Sequence, residues 1–148
     1  MAQGDFTVFD EFVLDIGKEV HELSSDTLKL GIVDDTITPT AGDATPVWGD
    51  YSGNEVSAAG GYVADGITLT GVTFTETGGT ATLDDTGNIS LAQDGSGFTD
   101  GYWGILYNSS AAGSNAIGFL DLGGPVSEQA GPVNINWNAS GILTIAIS

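Results

Sequence analysis

The chain has no cysteine and no arginine, and its 148 residues include only two lysines and one histidine. Without cysteine there is neither a disulfide framework nor a thiolate metal site, so stability has to come from packing or assembly. Without arginine, and with two lysines against 14 Asp and 6 Glu, the formal net charge is −18. Phosphate backbones and anionic membrane surfaces repel such a protein, which argues against nucleic acid and membrane as partners. The same scarcity leaves little with which to run acid–base or nucleophilic chemistry, and the chain reads as a non-enzyme. Long apolar runs are also missing, and the start of the sequence shows no basic region followed by an apolar stretch. The expectation is synthesis in the cytoplasm without a membrane span.

What is present is glycine, 23 residues, together with 41% hydrophobic residues that include three Trp, four Tyr and six Phe spread along the chain. Disordered segments lack that much burial, so the chain reads as folded. Its length fits a single domain, residues 1–148, that buries roughly 70% of the surface of its unfolded form. Charged residues make up 15%, against about 25% in an ordinary domain. The surface is therefore largely Ser, Thr, Asn and Gly.

Phe6, Phe9, Phe12, Val13, Ile16, Val20 and Leu23 recur at spacings of three and four, which predicts a helix over residues 7–22 with Thr7 as N-cap. Asp10 and Glu11 suit the positive end of its macrodipole, and Lys18 and His21 the negative end. Leu28, Leu30 and Ile32 then alternate with Lys29 and Gly31 as in a half-buried strand, within a first β segment at 27–33. Residues 34–62 lose all periodicity and read as a long loop, with one short strand near Glu55-Val56. From residue 66 to 148 the signal is β throughout. Gly78-Gly79 marks a tight hairpin, and strands are expected at 88–91, 102–107, 116–122, 133–137 and 142–147. The predicted class is mainly β: an antiparallel β-sandwich, jelly-roll-like or Ig-like, with one N-terminal α-helix.

No constellation stands out as catalytic, cofactor-binding or metal-binding. His21 next to Glu22 has no nucleophile elbow to serve, since Asp94-Gly95-Ser96-Gly97 lacks the spacing. Asp84, Asp85, Asp94 and Asp100 flank glycine turns and read as solvated carboxylates, with calcium as the alternative. Asn88-Ile89-Ser90, Asn108-Ser109-Ser110 and Asn138-Ala139-Ser140 read as turns. Trp48, Trp103, Trp137, Tyr62, Tyr102 and Tyr107 raise a carbohydrate-binding alternative, since flat exposed rings stack on sugars. The candidate partner-contact residues are Phe9 and Phe12 on the helix stripe and Trp48, Tyr51 and Tyr62 in the long loop. Trp48 and Tyr51 either anchor that loop on its own domain or dock on a partner.

Phe9-Asp10-Glu11-Phe12-Val13 followed by the run from His21-Glu22-Leu23 to Leu28-Lys29-Leu30 resembles the start of small virion proteins encoded beside the major capsid gene of tailed bacteriophages. Gly61-Tyr62, Gly71-Val72-Thr73-Phe74, Gly104-Ile105-Leu106-Tyr107-Asn108, Phe119-Leu120-Asp121-Leu122-Gly123-Gly124, Asn136-Trp137 and Gly141-Ile142-Leu143-Thr144-Ile145 continue the resemblance in order. It implies a head decoration (cement) protein, or another minor virion component, that binds the major capsid protein on the capsid exterior as a homotrimer. No catalytic residues carry over. The acidity and the missing arginine depart from that family. The alternative is a carbohydrate-binding or adhesion module such as a tail-fibre component.

Overall fold

The computed structural model describes residues 4–147. The protein is mainly β, with every strand pairing antiparallel. The largest sheet has five strands in the order β1-β8-β7-β2-β3, formed by β1 (Phe6–Val8), β2 (Leu28–Val33), β3 (Ile67–Thr68), β7 (Gly101–Asn108) and β8 (Ala116–Val126). A three-stranded sheet has the order β10-β5-β4, from β4 (Val72–Thr77), β5 (Thr80–Asp85) and β10 (Leu143–Ala146). β6 (Ile89–Leu91) pairs with β9 (Val133–Ile135). Gly78 and Gly79 both have positive φ, 61° and 87°, as the predicted two-residue hairpin between β4 and β5 requires.

The central strands are buried on both faces. Leu28, Leu30 and Ile32 of β2 and Leu106 of β7 join Leu83, Ile89, Leu91, Val133, Ile135 and Leu143 of the two smaller sheets in one apolar cluster. Val33, Ile105, Tyr107 and Phe119 form a second cluster on the opposite face with Phe9, Trp48 and Tyr51. A register shift between Leu106 and Tyr107 sets Ala116 opposite Tyr107 while Gly118 stays opposite Leu106. This bulge lets Ala116 and Phe119 share the second cluster while Ile117 enters the first.

The N-terminal segment differs from expectation. Helix is confined to α1 (Phe12–Gly17), and Phe6–Val8, including the expected N-cap Thr7, is strand β1 on the edge of β8. The periodic aromatics do not line one stripe: Phe12 belongs to the first cluster and Phe9 to the second. The chain passes from one face of the sheet to the other between them, and Val13 is left 77% exposed. Glu19, at φ 58°, ends the helical course.

The long loop is a pinned strap whose Trp48 and Tyr51 cover the second face, while Val56 and Tyr62 enter the first cluster. A short helix, α2 (Trp48–Tyr51), and a 3-10 turn at Ser52–Asn54 lie within it. Bridges Val47 to Asn115 and Val33 to Glu55 tie it to the sheet, as do the bonds from Ala116 N to Pro46 O (2.9 Å) and Val56 N to Ile32 O (3.0 Å). Trp48 lies over Gly31 of β2 and stacks on Tyr107, 5.0 Å between centroids and 3° between planes. A Cβ at residue 31 would sit 2.2 Å from Trp48 Cη2. Gly31→Ala therefore displaces the indole and is expected to cost about 1–3 kcal/mol by overpacking. A lowered urea midpoint with a changed tryptophan signal is the expected result.

Candidate partner-binding surface

All five predicted contact residues lie inside the fold. Phe9 is 1% exposed, Phe12 4%, Trp48 6%, Tyr51 2% and Tyr62 2%. Each is held there by polar as well as apolar contacts, or by ring packing. Trp48 Nε1 donates to Asp65 Oδ1 at 3.2 Å, and Tyr51 donates its hydroxyl hydrogen to Asp43 Oδ2 at 2.8 Å. Tyr62 accepts from Ile32 N at 2.8 Å and donates to Glu55 at 2.7 Å. Phe9 packs on Phe119 and Tyr51, and Phe12 on His21. Burial, reinforced by Asp43 and Glu55 respectively, pushes the Tyr51 and Tyr62 hydroxyls well above their ordinary range. Burial also raises Tyr107, to about 12. Trp48, Tyr51 and Tyr62 anchor the strap on its own domain. Trp103 and Trp137 are half-buried with their edges against Phe119 and Phe6, and Tyr102 is half-buried as well.

The acidic turns likewise serve the fold. Asp85, read from sequence as solvated, is 3% exposed. It accepts hydrogen bonds from Gly71 N (2.8 Å), Gly87 N (3.1 Å) and Trp137 Nε1 (3.3 Å). Asp94 accepts from the hydroxyl and the backbone of Ser96, which hold its carboxyl below the ordinary carboxylate range. Glu128 is fully buried in a cradle of Gly60, Gly61 and Gly97, where it accepts from Gly61 N at 2.7 Å. Among the described residues no group of three or more His, Asp or Glu is arranged to hold a metal ion.

Sequence reasoning placed His21 at an exposed helix end, but its side chain is buried. The Asn108 amide donates toward His21 Nδ1 at 3.2 Å and to Asp26 Oδ2 at 2.5 Å. With Nδ1 as acceptor the ring proton sits on Nε2, which has no hydrogen-bond partner and lies 3.8 Å from Asp15 Oδ2. Asp15 itself accepts from Asn115 Nδ2 at 2.9 Å.

An exposed polar face belongs to the three-stranded sheet. Its register sets Thr75 opposite Thr82 and Thr82 opposite Thr144, with Thr77 opposite Thr80 and Thr73 opposite Asp84. Because alternate residues share a face, six threonines and one carboxylate form the outer side. Thr73, Thr75, Thr77 and Thr144 are exposed. On the other side Leu143, Leu83 and Phe74 enter or pack against the first cluster, whereas Ile145 of β10 and Ile147 just beyond it are 37% and 88% exposed. A separate open groove of about 550 Å³ is lined by Leu120, Leu122, Val126, Pro132, Val133 and Ile135 together with Asp121. Sequence alternation located the strands of this sheet, but it gave no sign that the apolar stripe of β10 runs past the core.

No family model matches the chain, and no curated protein or solved structure was found to match it. Among the described residues no helix is long and apolar enough to cross a membrane.

Burial lowers the pKa of His21 from its ordinary 6.5, outweighing the raising influence of Asp15 and Asp26. A base whose folded pKa is depressed contributes stability that is present above the ordinary value and lost as pH falls through 6.5 toward the folded value. The difference in unfolding midpoint between wild type and His21→Gln should therefore narrow as pH is lowered from 7 to 5, as read by urea titrations at each pH.

Proposed function

We propose that this chain is a virion structural protein that decorates the outer surface of an assembled phage head and stabilises it by binding the major capsid protein. The finer architecture that goes with this reading is a β-sandwich used as rigid scaffolding. The observation that carries the proposal is the threonine face of the β10-β5-β4 sheet, backed by a core that is packed on both sides of the central sheet. Hydroxyls and methyls on a stiff sheet suit contact with another folded protein surface, because little side-chain entropy is lost when threonine is fixed. The net charge of −18 favours the solvent side of a shell over the side facing packaged DNA. The resemblance of the ordered sequence blocks to small virion proteins points the same way.

A ligand that binds only the assembled state stabilises it by mass action, about 2.7 kcal/mol per site at a hundred times its dissociation constant. Purified protein added to undecorated expanded heads should appear as density on the outer surface and raise the temperature at which the heads rupture. Thr75→Asp, which sets a charge in the middle of the threonine face, should bind at least about tenfold more weakly, a loss of roughly 1.4 kcal/mol. Density inside the shell or only at the tail would sink the proposal.

A further inference from the structure

We infer that the free edge of β10 pairs, antiparallel, with β10 of a second copy of this chain. β10 is the outer strand of its sheet and pairs only with β5 among the described strands. Ile147 N donates to Gly79 O at 3.1 Å. Antiparallel ladders alternate inward and outward backbone groups, so Leu143, Ile145 and Ile147 address β5. The N–H and C=O groups of Thr144 and Ala146 then point away from the sheet. Soluble proteins blunt such edges with charge, proline or a cover. This strand has neither charge nor proline, and it carries the exposed Ile145, with the exposed Ile147 just beyond its end.

Charge selects the occupant. Two molecules of net charge −18 repel unless they meet where side-chain carboxylates are absent, and residues 129–148 carry no charged side chain. The opposite edge of the same sheet, β4, carries Glu76. β10 is thus an edge at which two copies can meet without opposing carboxylates, and among the uncharged edge strands β1, β3, β6, β9 and β10 it is the one with an exposed large apolar side chain, Ile145. An antiparallel strand pair about a twofold axis is self-complementary. Such a pair joins the two sheets into one of six strands, with both threonine faces on the same side. It also covers Ile145 and Ile147 against the neighbour. The contact is twofold, unlike the threefold that the family resemblance implies, and it stands independently of the virion reading.

The test is light scattering coupled to size exclusion on the full chain at roughly 100 µM, since a short strand pair buries less than a standard interface of about 1,600 Å². The expected mass is twice the 15.0 kDa of the chain. Thr144→Pro removes only an outward N–H, which an edge strand tolerates, and should weaken dimerisation by about tenfold or more while circular dichroism stays native. Ile147→Lys leaves the ladder to β5 untouched and should do the same, so it decides the matter if the proline variant fails to fold. A monomeric wild type, a trimer, or a natively folded Thr144→Pro and Ile147→Lys pair that both remain dimeric would overturn the inference.

Discussion

The structure depends on covering the second face of the five-stranded sheet. A sheet with one core face can leave the other to water, but here Val33, Ile105, Tyr107 and Phe119 make that other face apolar. The chain solves this with Ile37, Trp48 and Tyr51 of its own strap, where Trp48 lies on Gly31 and stacks on Tyr107. Glycine at 31 is what lets an indole reach the backbone, and the indole in turn excludes water from both strands. Asp65 closes the arrangement by accepting from Trp48 Nε1 through its carboxylate and from the Tyr107 hydroxyl through its backbone carbonyl.

The strands were largely legible because their alternation survives wherever one face is polar. β4 and β5, with threonines outside and Phe74 and Leu83 inside, and the Gly78-Gly79 turn are such cases. The N-terminal helix was over-extended because Phe6, Phe9 and Phe12 share a helical spacing while answering to different neighbours: an edge strand, the strap cluster and the main core. The contact residues were misplaced for a related reason. An aromatic in an aperiodic, proline-containing loop looks free until the strand register reveals a glycine beneath it. Gly31 inside a strand was the available signal, since glycine in a strand often marks close approach of another group. The exposure of β10 was hidden because Leu143, Ile145 and Ile147 alternate as a core strand would, and only the fold shows where the core stops.

The acidity of the sequence is partly internal. With two lysines, the lysine ion pair found among the described residues is Lys18 with Glu11 at 3.6 Å, on the surface, where such a contact contributes little. Asp85 and Glu128 are instead buried acceptors for glycine N–H groups, and the half-buried Asp43 accepts from Thr40 and Tyr51. Burial acts to raise Asp43, but these hydrogen bonds hold it below the ordinary range. Carboxylates here tie loops whose tight turns need glycine, a role that elsewhere falls to arginine or to a disulfide.

The pairing of Phe6 with Leu120 spans most of the chain and has a consequence for how the protein is made. The outer edge of β8 stays open until a segment synthesised more than a hundred residues earlier returns to it. Non-local pairings of this kind form late, because loop closure must precede the contacts that reward it. During synthesis the aromatic-rich opening segment waits without its sheet, in reach of other nascent chains. The high density of like charge between it and β8 then acts as a solubility device, keeping neighbouring incomplete chains apart until the last strand of the large sheet is in place.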